Sequence, residues 1–153
     1  MIAPAFLTVL RKIQAALNDG QVNWAVTGSL GFALQGVPVE PGDIDLQTDE
    51  AGAYEIERRF SEFVTRRVSF SSTARIRSHF GALRLDGIEV EIIGALQKRL
   101  GDGGWEPPVD VGRYKRTVEV EGMSIPVLSL EYEYEAYLTL GRVEKAQMLK
   151  AFF

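Results

Sequence analysis

Apolar residues at positions 6, 7, 9, 10, 13 and 17 recur at three- and four-residue steps, the spacing of one helical face. They predict an amphipathic helix over 5–17 that Asn18-Asp19-Gly20 stops. Trp24-Ala25-Val26 reads as a short buried strand, and Thr27-Gly28-Ser29 leads into a brief helix over 30–35 closed by Gly36. After a proline-bearing loop over 37–42, Asp43-Ile44-Asp45-Leu46-Gln47 alternates strictly. Successive strand side chains point to opposite faces, so this run sets both aspartates on one face and both aliphatics on the other.

Farther along, the pattern predicts a helix over 51–63, a strand over 64–70 and a hairpin formed by 74–85 and 88–93. That hairpin turns at Asp86-Gly87, a dipeptide suited to a tight primed turn. Residues 101–112 are rich in glycine and proline and carry Trp105, which predicts an exposed loop. A second hairpin, 114–120 with 123–127, bends around Glu121-Gly122, and 130–153 holds two helical stretches broken near Gly141. There is no internal repeat or low-complexity tract. Helices before, between and after hairpin-connected strands give an α+β class, with a mixed β-sheet, helices packed on one face and further helices at the C-terminus.

At 153 residues and 46% hydrophobic, the chain has the size and apolar content of one domain, 1–153. Seventeen basic against 21 acidic residues leave a formal charge of -4, with the basic ones scattered, so extensive nucleic-acid binding is not expected. Cysteine is absent, which excludes a disulfide framework, a thiolate metal site and a cysteine nucleophile. Arg11 and Lys12 interrupt the apolar N-terminus, and no uninterrupted run is long enough for a membrane span. A soluble, cytoplasmic protein is expected.

Three pieces carry chemistry. Gly28-Ser29 stands at a strand-to-helix turn, where glycine lets backbone approach a phosphate and serine adds a hydroxyl and, with its neighbours, free amide hydrogens; a plain helix cap is the bland alternative. Asp43 and Asp45 project to one side of a strand at a separation suited to sharing hard cations such as Mg²⁺, the alternative being a solvent-facing edge strand. Glu89 and Glu91 repeat the arrangement opposite Ile88, Val90 and Ile92; taken alone they read first as the wet face of an amphipathic strand, and beside the aspartate strand either can supply a third carboxylate. A two-metal site of this kind holds its ions about 4 Å apart and clamps the attacking and leaving oxygens of an in-line displacement.

The stretch Gly28-Ser29-Leu30-Gly31-Phe32-Ala33-Leu34-Gln35-Gly36 through Asp43-Ile44-Asp45-Leu46 resembles the signature of the nucleotidyltransferase superfamily typified by DNA polymerase β. The likeness extends to small bacterial members: the minimal nucleotidyltransferases, the AbiEii-like group and the lincosamide and aminoglycoside nucleotidyltransferases. It implies the polymerase β-like fold, with Gly28 and Ser29 holding a triphosphate and Asp43 and Asp45 binding Mg²⁺, Mn²⁺ being a possible substitute. The family places its third acid just before paired aliphatics, as Glu91 stands before Ile92-Ile93, which makes Glu91 the third ligand and Glu89 the reserve. The family more often has Asp there. Leu140-Gly141-Arg142-Val143-Glu144-Lys145 is similar to a basic helix of related transferases, which implies phosphate contacts for Arg142 and Lys145; a solvated cationic face is the alternative. Ala146 replaces a common Asp, and Tyr137 stands where Lys is common.

What the resemblance implies is Mg²⁺-dependent transfer of a nucleoside monophosphate from an NTP to a hydroxyl acceptor that the sequence does not identify. The alternative is an inactive binding protein of the same fold, for example one partner of a toxin and antitoxin pair, and a homodimer or a partner protein fits either reading. His79, the one histidine, and Trp105 receive no role.

Overall fold

The computed structural model describes residues 2–153. Its elements run α1 (Pro4–Leu17), β1 (Trp24–Thr27), α2 (Gly28–Leu34), β2 (Ile44–Thr48), α3 (Glu50–Arg59), β3 (Val64–Ser72), β4 (Ile76–Leu85) and β5 (Ile88–Lys98), then α4 (Val111–Tyr114), β6 (Lys115–Val120), β7 (Met123–Leu128), α5 (Leu130–Thr139) and α6 (Val143–Lys150). Seven strands form one sheet in the order β3-β4-β5-β2-β1-β7-β6. Pairs β1–β7 and β2–β5 are parallel and the remaining neighbours antiparallel, so the sheet is mixed.

Alternation decides which strand face is covered. Ile44 and Leu46 on β2 and Val90 and Ile92 on β5 are at most 1% exposed, and they face the helical layer of Val9, Leu10, Ile13 and Leu17 from α1 with Ala53 and Ile56 from α3. Burying each of these aliphatic side chains contributes roughly 1.5–3 kcal/mol, and that preference fixes the strand register, since a one-residue slip would turn the acids inward. On β1 both faces are covered: Trp24 and Val26 join the α1 core, whereas Ala25 packs with Val111 and Leu128 on the opposite face, beside Tyr132 of α5. The C-terminal α5 thus lies over the sheet face that carries the acids, at the β1 and β7 end. A third cluster of Phe32, Val37, Leu130 and Leu149 ties α2 to α5 and α6.

The turns follow their residues. Asp86 (φ 50°) and Gly87 (φ 80°) both lie in the left-handed region that a primed hairpin turn requires. The expected 51–63 helix is divided: the α-helix ends at Arg59, and Ser61–Phe63 is a single 3-10 turn. The helix after β1 begins at Gly28 rather than at residue 30, so Thr27, not Ser29, is its N-cap residue. In the 101–112 loop, Trp105 pairs with Arg99 as an isolated bridge and is flanked by the guanidinium groups of Arg77 and Arg99, at 4.4 and 4.2 Å from its ring. His79 packs between Tyr54 and Phe70, and its Nδ1 lies 3.1 Å from the Tyr54 hydroxyl. Both side chains are thereby accounted for as packing. No described helix is long and apolar enough to cross a membrane.

Candidate active site

Pairing across the sheet sets Thr27 opposite Asp45, Asp45 opposite Glu91, Glu91 opposite Ala82 and Ala82 opposite Arg66. These five residues form one row, stepping about 4.8 Å from strand to strand, on the face away from α1 and α3. Asp43 precedes β2 and returns to the same side. One carboxylate oxygen each from Asp43, Asp45 and Glu91 lies within 4.8 Å of the others. Glu89 is exposed, one alternation nearer the Asp86-Gly87 turn and opposite Arg84, and falls outside that trio.

Electrostatics mark the trio as strained in the absence of a cation. Burial pushes the Asp45 carboxyl up to about 7, reinforced by the charges of Asp43, Glu91, Glu133 and Glu89. Glu91 is raised by burial and then by Asp43, with which it shares a hydrogen bond, while the Arg66 guanidinium opposes the shift. Asp45 Oδ1 is buried without any hydrogen-bond partner. An orphaned carboxylate oxygen beside two further carboxylates is a costly arrangement that a hard divalent cation relieves, since Mg²⁺ and Mn²⁺ take oxygen ligands. The donor set therefore fits such an ion.

Gly28 touches this cluster directly. Its φ is +68°, and a Cβ built there would run into the Asp45 carboxylate, so glycine is required both by conformation and by space. Ser29 follows in the first turn of α2 and is half-buried. One expectation changes: the Gly28 N–H is not free, because it donates to Glu133 Oε2 at 3.3 Å, and the Thr27 hydroxyl donates to the same oxygen at 2.6 Å.

Glu133, on α5, is the residue the sequence reading missed. It is 6% exposed, and burial raises its carboxyl to about 7 against the opposing pull of Thr27, Gly28 and Lys98. The signal was present: Leu130, Glu133 and Tyr137 occupy one helical stripe, and a lone acid inside an apolar stripe marks a buried, partnered carboxylate. Tyr137 packs edge-on against Phe32 at 6.0 Å. Burial, then Glu133, pushes its phenol up to about 12, with Asp45 adding to the shift and Arg142 opposing it. Arg142 and Lys145 are exposed, Lys145 with its ammonium 5.7 Å from the Tyr137 ring and Arg142 lining a cleft with residues 73–76 of the β3–β4 turn; neither enters the trio.

Comparison with known proteins agrees with this architecture. No curated protein sequence matches the chain. A crystal structure of a candidate nucleotidyltransferase from Thermotoga maritima is 68% identical and superposes with a TM-score of 0.89, covering 99% of this chain and 94% of that one. Two antibiotic-modifying enzymes share the fold at much lower identity. The lincosamide adenylyltransferase LnuA, solved with lincomycin, is 12% identical with a TM-score of 0.59 over 99% of each chain. The resistance factor ANT(2'')-Ia is 14% identical with a TM-score of 0.61, covering 95% of this chain and 83% of that one. The sequence pattern of aminoglycoside-2''-adenylyltransferases matches residues 9–149, which takes in every residue of the site described above, from Gly28 to Lys145. With that match spanning nearly the whole chain, on a polymerase β-like fold, the protein belongs to the aminoglycoside-2''-adenylyltransferase family and is an enzyme of the nucleotidyltransferase type.

Proposed function

We propose that this enzyme transfers a nucleoside monophosphate, AMP from ATP by analogy with its family, to a hydroxyl group of a small acceptor, and that residues 1–153 act as a single catalytic domain. The observation that carries the reading is the trio of Asp43, Asp45 and Glu91 with the unpartnered, buried Asp45 Oδ1 at its centre. In this reading the three carboxylates hold a pair of divalent cations, Mg²⁺ with Mn²⁺ as a substitute, and Glu89 remains outside. When bound, the cations neutralise charge on the triphosphate and polarise the α-phosphoryl group.

The chain's own residues do the remainder. Gly28, kept in its left-handed conformation by the Glu133 contact to its N–H, holds the turn close to Asp45, so that Ser29 can meet the β- and γ-phosphates. Arg142 and Lys145 approach the same phosphates from the α5–α6 side. Glu91, at the opposite end of the trio from Gly28, takes the proton of the acceptor hydroxyl. The acceptor oxygen then bonds to the α-phosphorus, the bond from that phosphorus to the bridging oxygen breaks, and pyrophosphate leaves towards Ser29.

Pyrophosphate release in the presence of each NTP, Mg²⁺ or Mn²⁺ and a panel of hydroxylated antibiotics tests this. The wild-type protein should release pyrophosphate with ATP, and Asp45→Asn should lose at least about 100-fold of that rate while remaining folded. Metal-independent turnover, or full activity in Asp45→Asn, would contradict it.

A further inference from the structure

We infer that Phe80, Ile93 and Arg66 form the acceptor subsite of this enzyme, and that it takes a hydroxylated acceptor with an apolar ring face and no net positive charge. The inference rests on the proposed nucleotidyl transfer and adds the class of acceptor.

The direction of approach follows from the row across the sheet. In-line displacement requires the attacking hydroxyl to arrive opposite the leaving pyrophosphate. With the phosphates at Gly28 and Ser29, on the β1 side of Asp45, the acceptor comes in over the β5 and β4 side, beyond Glu91. Along β5 and β4 away from the Asp86-Gly87 turn, the side chains on this face are not acidic, and Glu89 lies towards the turn, opposite Arg84. Phe80 pairs directly with Ile93, and both are half-buried on the same sheet face as Glu91. Being one alternation along from Ala82 and Glu91, they lie about 7 Å from the carboxylate row, the reach of a sugar or aryl ring whose hydroxyl is at Glu91. Ile93 and the part of the Phe80 ring not covered by the Arg66 guanidinium make a floor for the apolar face of such a ring.

Arg66 sets the charge preference. Its guanidinium lies 4.8 Å from the Phe80 ring centroid, and its backbone stands opposite Ala82, next to Glu91 in the row. Among the described residues it enters no close salt bridge, and its charge acts on Glu91 from a distance. The other arginine on this face, Arg84, stands opposite Glu89 and donates to the Gly87 carbonyl at 2.6 Å. Once divalent cations occupy the trio, Glu89 is the acid left on the acceptor side, facing Arg84 across the strand pair, and the triphosphate adds its charge on the Gly28 side. A polycation would therefore meet Arg66 and the bound cations, whereas a neutral or anionic acceptor would not be repelled.

Saturation-transfer NMR on the full chain, loaded with Mg²⁺ and a non-hydrolysable ATP analogue, tests this with three probes: p-nitrophenyl β-glucoside (neutral), p-nitrophenyl β-glucuronide (anionic) and tobramycin (polycationic). Both aryl glycosides should bind in preference to tobramycin. Phe80→Ser should weaken them about 10-fold, with Phe80→Leu retaining most of the affinity, as expected for an apolar floor. Arg66→Glu should weaken the glucuronide most and strengthen tobramycin about fivefold. Thermal midpoints check that the variants fold, and the surface position of Arg66 makes that variant decisive should Phe80→Ser not fold. Tobramycin binding more tightly than both glycosides, absence of glycoside binding, or affinities unchanged by Arg66→Glu would overturn the inference and leave nucleotidyl transfer standing. Calorimetric absence of nucleotide and Mn²⁺ binding in the wild type would instead overturn both.

Discussion

A methyl group at position 28 would meet the Asp45 carboxylate, and the backbone there is held at φ +68°. Gly28→Ala is therefore expected to cost about 1–3 kcal/mol of stability, read by chemical denaturation, and to abolish nucleotide binding by displacing Asp45. Glu133 gives a second test at the same scale. Its carboxyl is raised to about 7 in the folded protein from an ordinary 4.5, so the folded state binds its proton more tightly than the unfolded chain does. Its contribution is accordingly complete below about 4.5 and is lost as pH rises through about 7, where the buried group must ionise. A glutamine oxygen can accept from Thr27 and Gly28 without ever ionising. Glu133→Gln should thus melt roughly 5 °C higher than the wild type at pH 8 and converge with it below pH 5, and equal midpoints at pH 8 would contradict the burial argument.

Among the elements, strands were legible wherever their alternation was local. Asp43-Ile44-Asp45-Leu46 and Glu89-Val90-Glu91-Ile92 separate acids from aliphatics in the sequence, and that separation becomes the two faces of β2 and β5. What was not legible depended on pairing. The parallel alignments of β2 with β5 and of β1 with β7, which bring the acids into one row, join segments distant in sequence. Register shifts between Val64 and Arg66 and between Arg66 and Ser69 break the period of two on β3, so Arg66 does not declare which face it occupies until β3 and β4 are paired. The partners of Glu133 were hidden similarly, since Thr27 and Gly28 meet it only when α5 docks on β1. The C-terminal helix α6 is held chiefly by Leu149, fully buried against Phe32, Val37 and Leu130, with Ala146 beside it. Leu149→Ala should cost about 2–5 kcal/mol at that contact. Amide exchange should then quicken over 143–150 while β2 and β5 stay protected; uniform quickening across the sheet would contradict local docking.

For the whole molecule, the division of labour is between two layers. Helices α1 and α3 bury one sheet face and fix the register; the other face is left to the carboxylates, with α5 closing its β1 end through Glu133 and α6 holding Lys145 beside Tyr137. A fold built this way spends stability on three adjacent acids at its centre, and the family to which the chain belongs gives that cost a chemical purpose. The most direct measurement is anomalous diffraction from crystals grown with Mn²⁺ and a non-hydrolysable ATP analogue. Manganese peaks bounded by Asp43, Asp45 and Glu91, with the triphosphate reaching towards Ser29, are the predicted result. A triphosphate bound elsewhere, or an acidic trio free of manganese while the nucleotide is bound, would contradict the account.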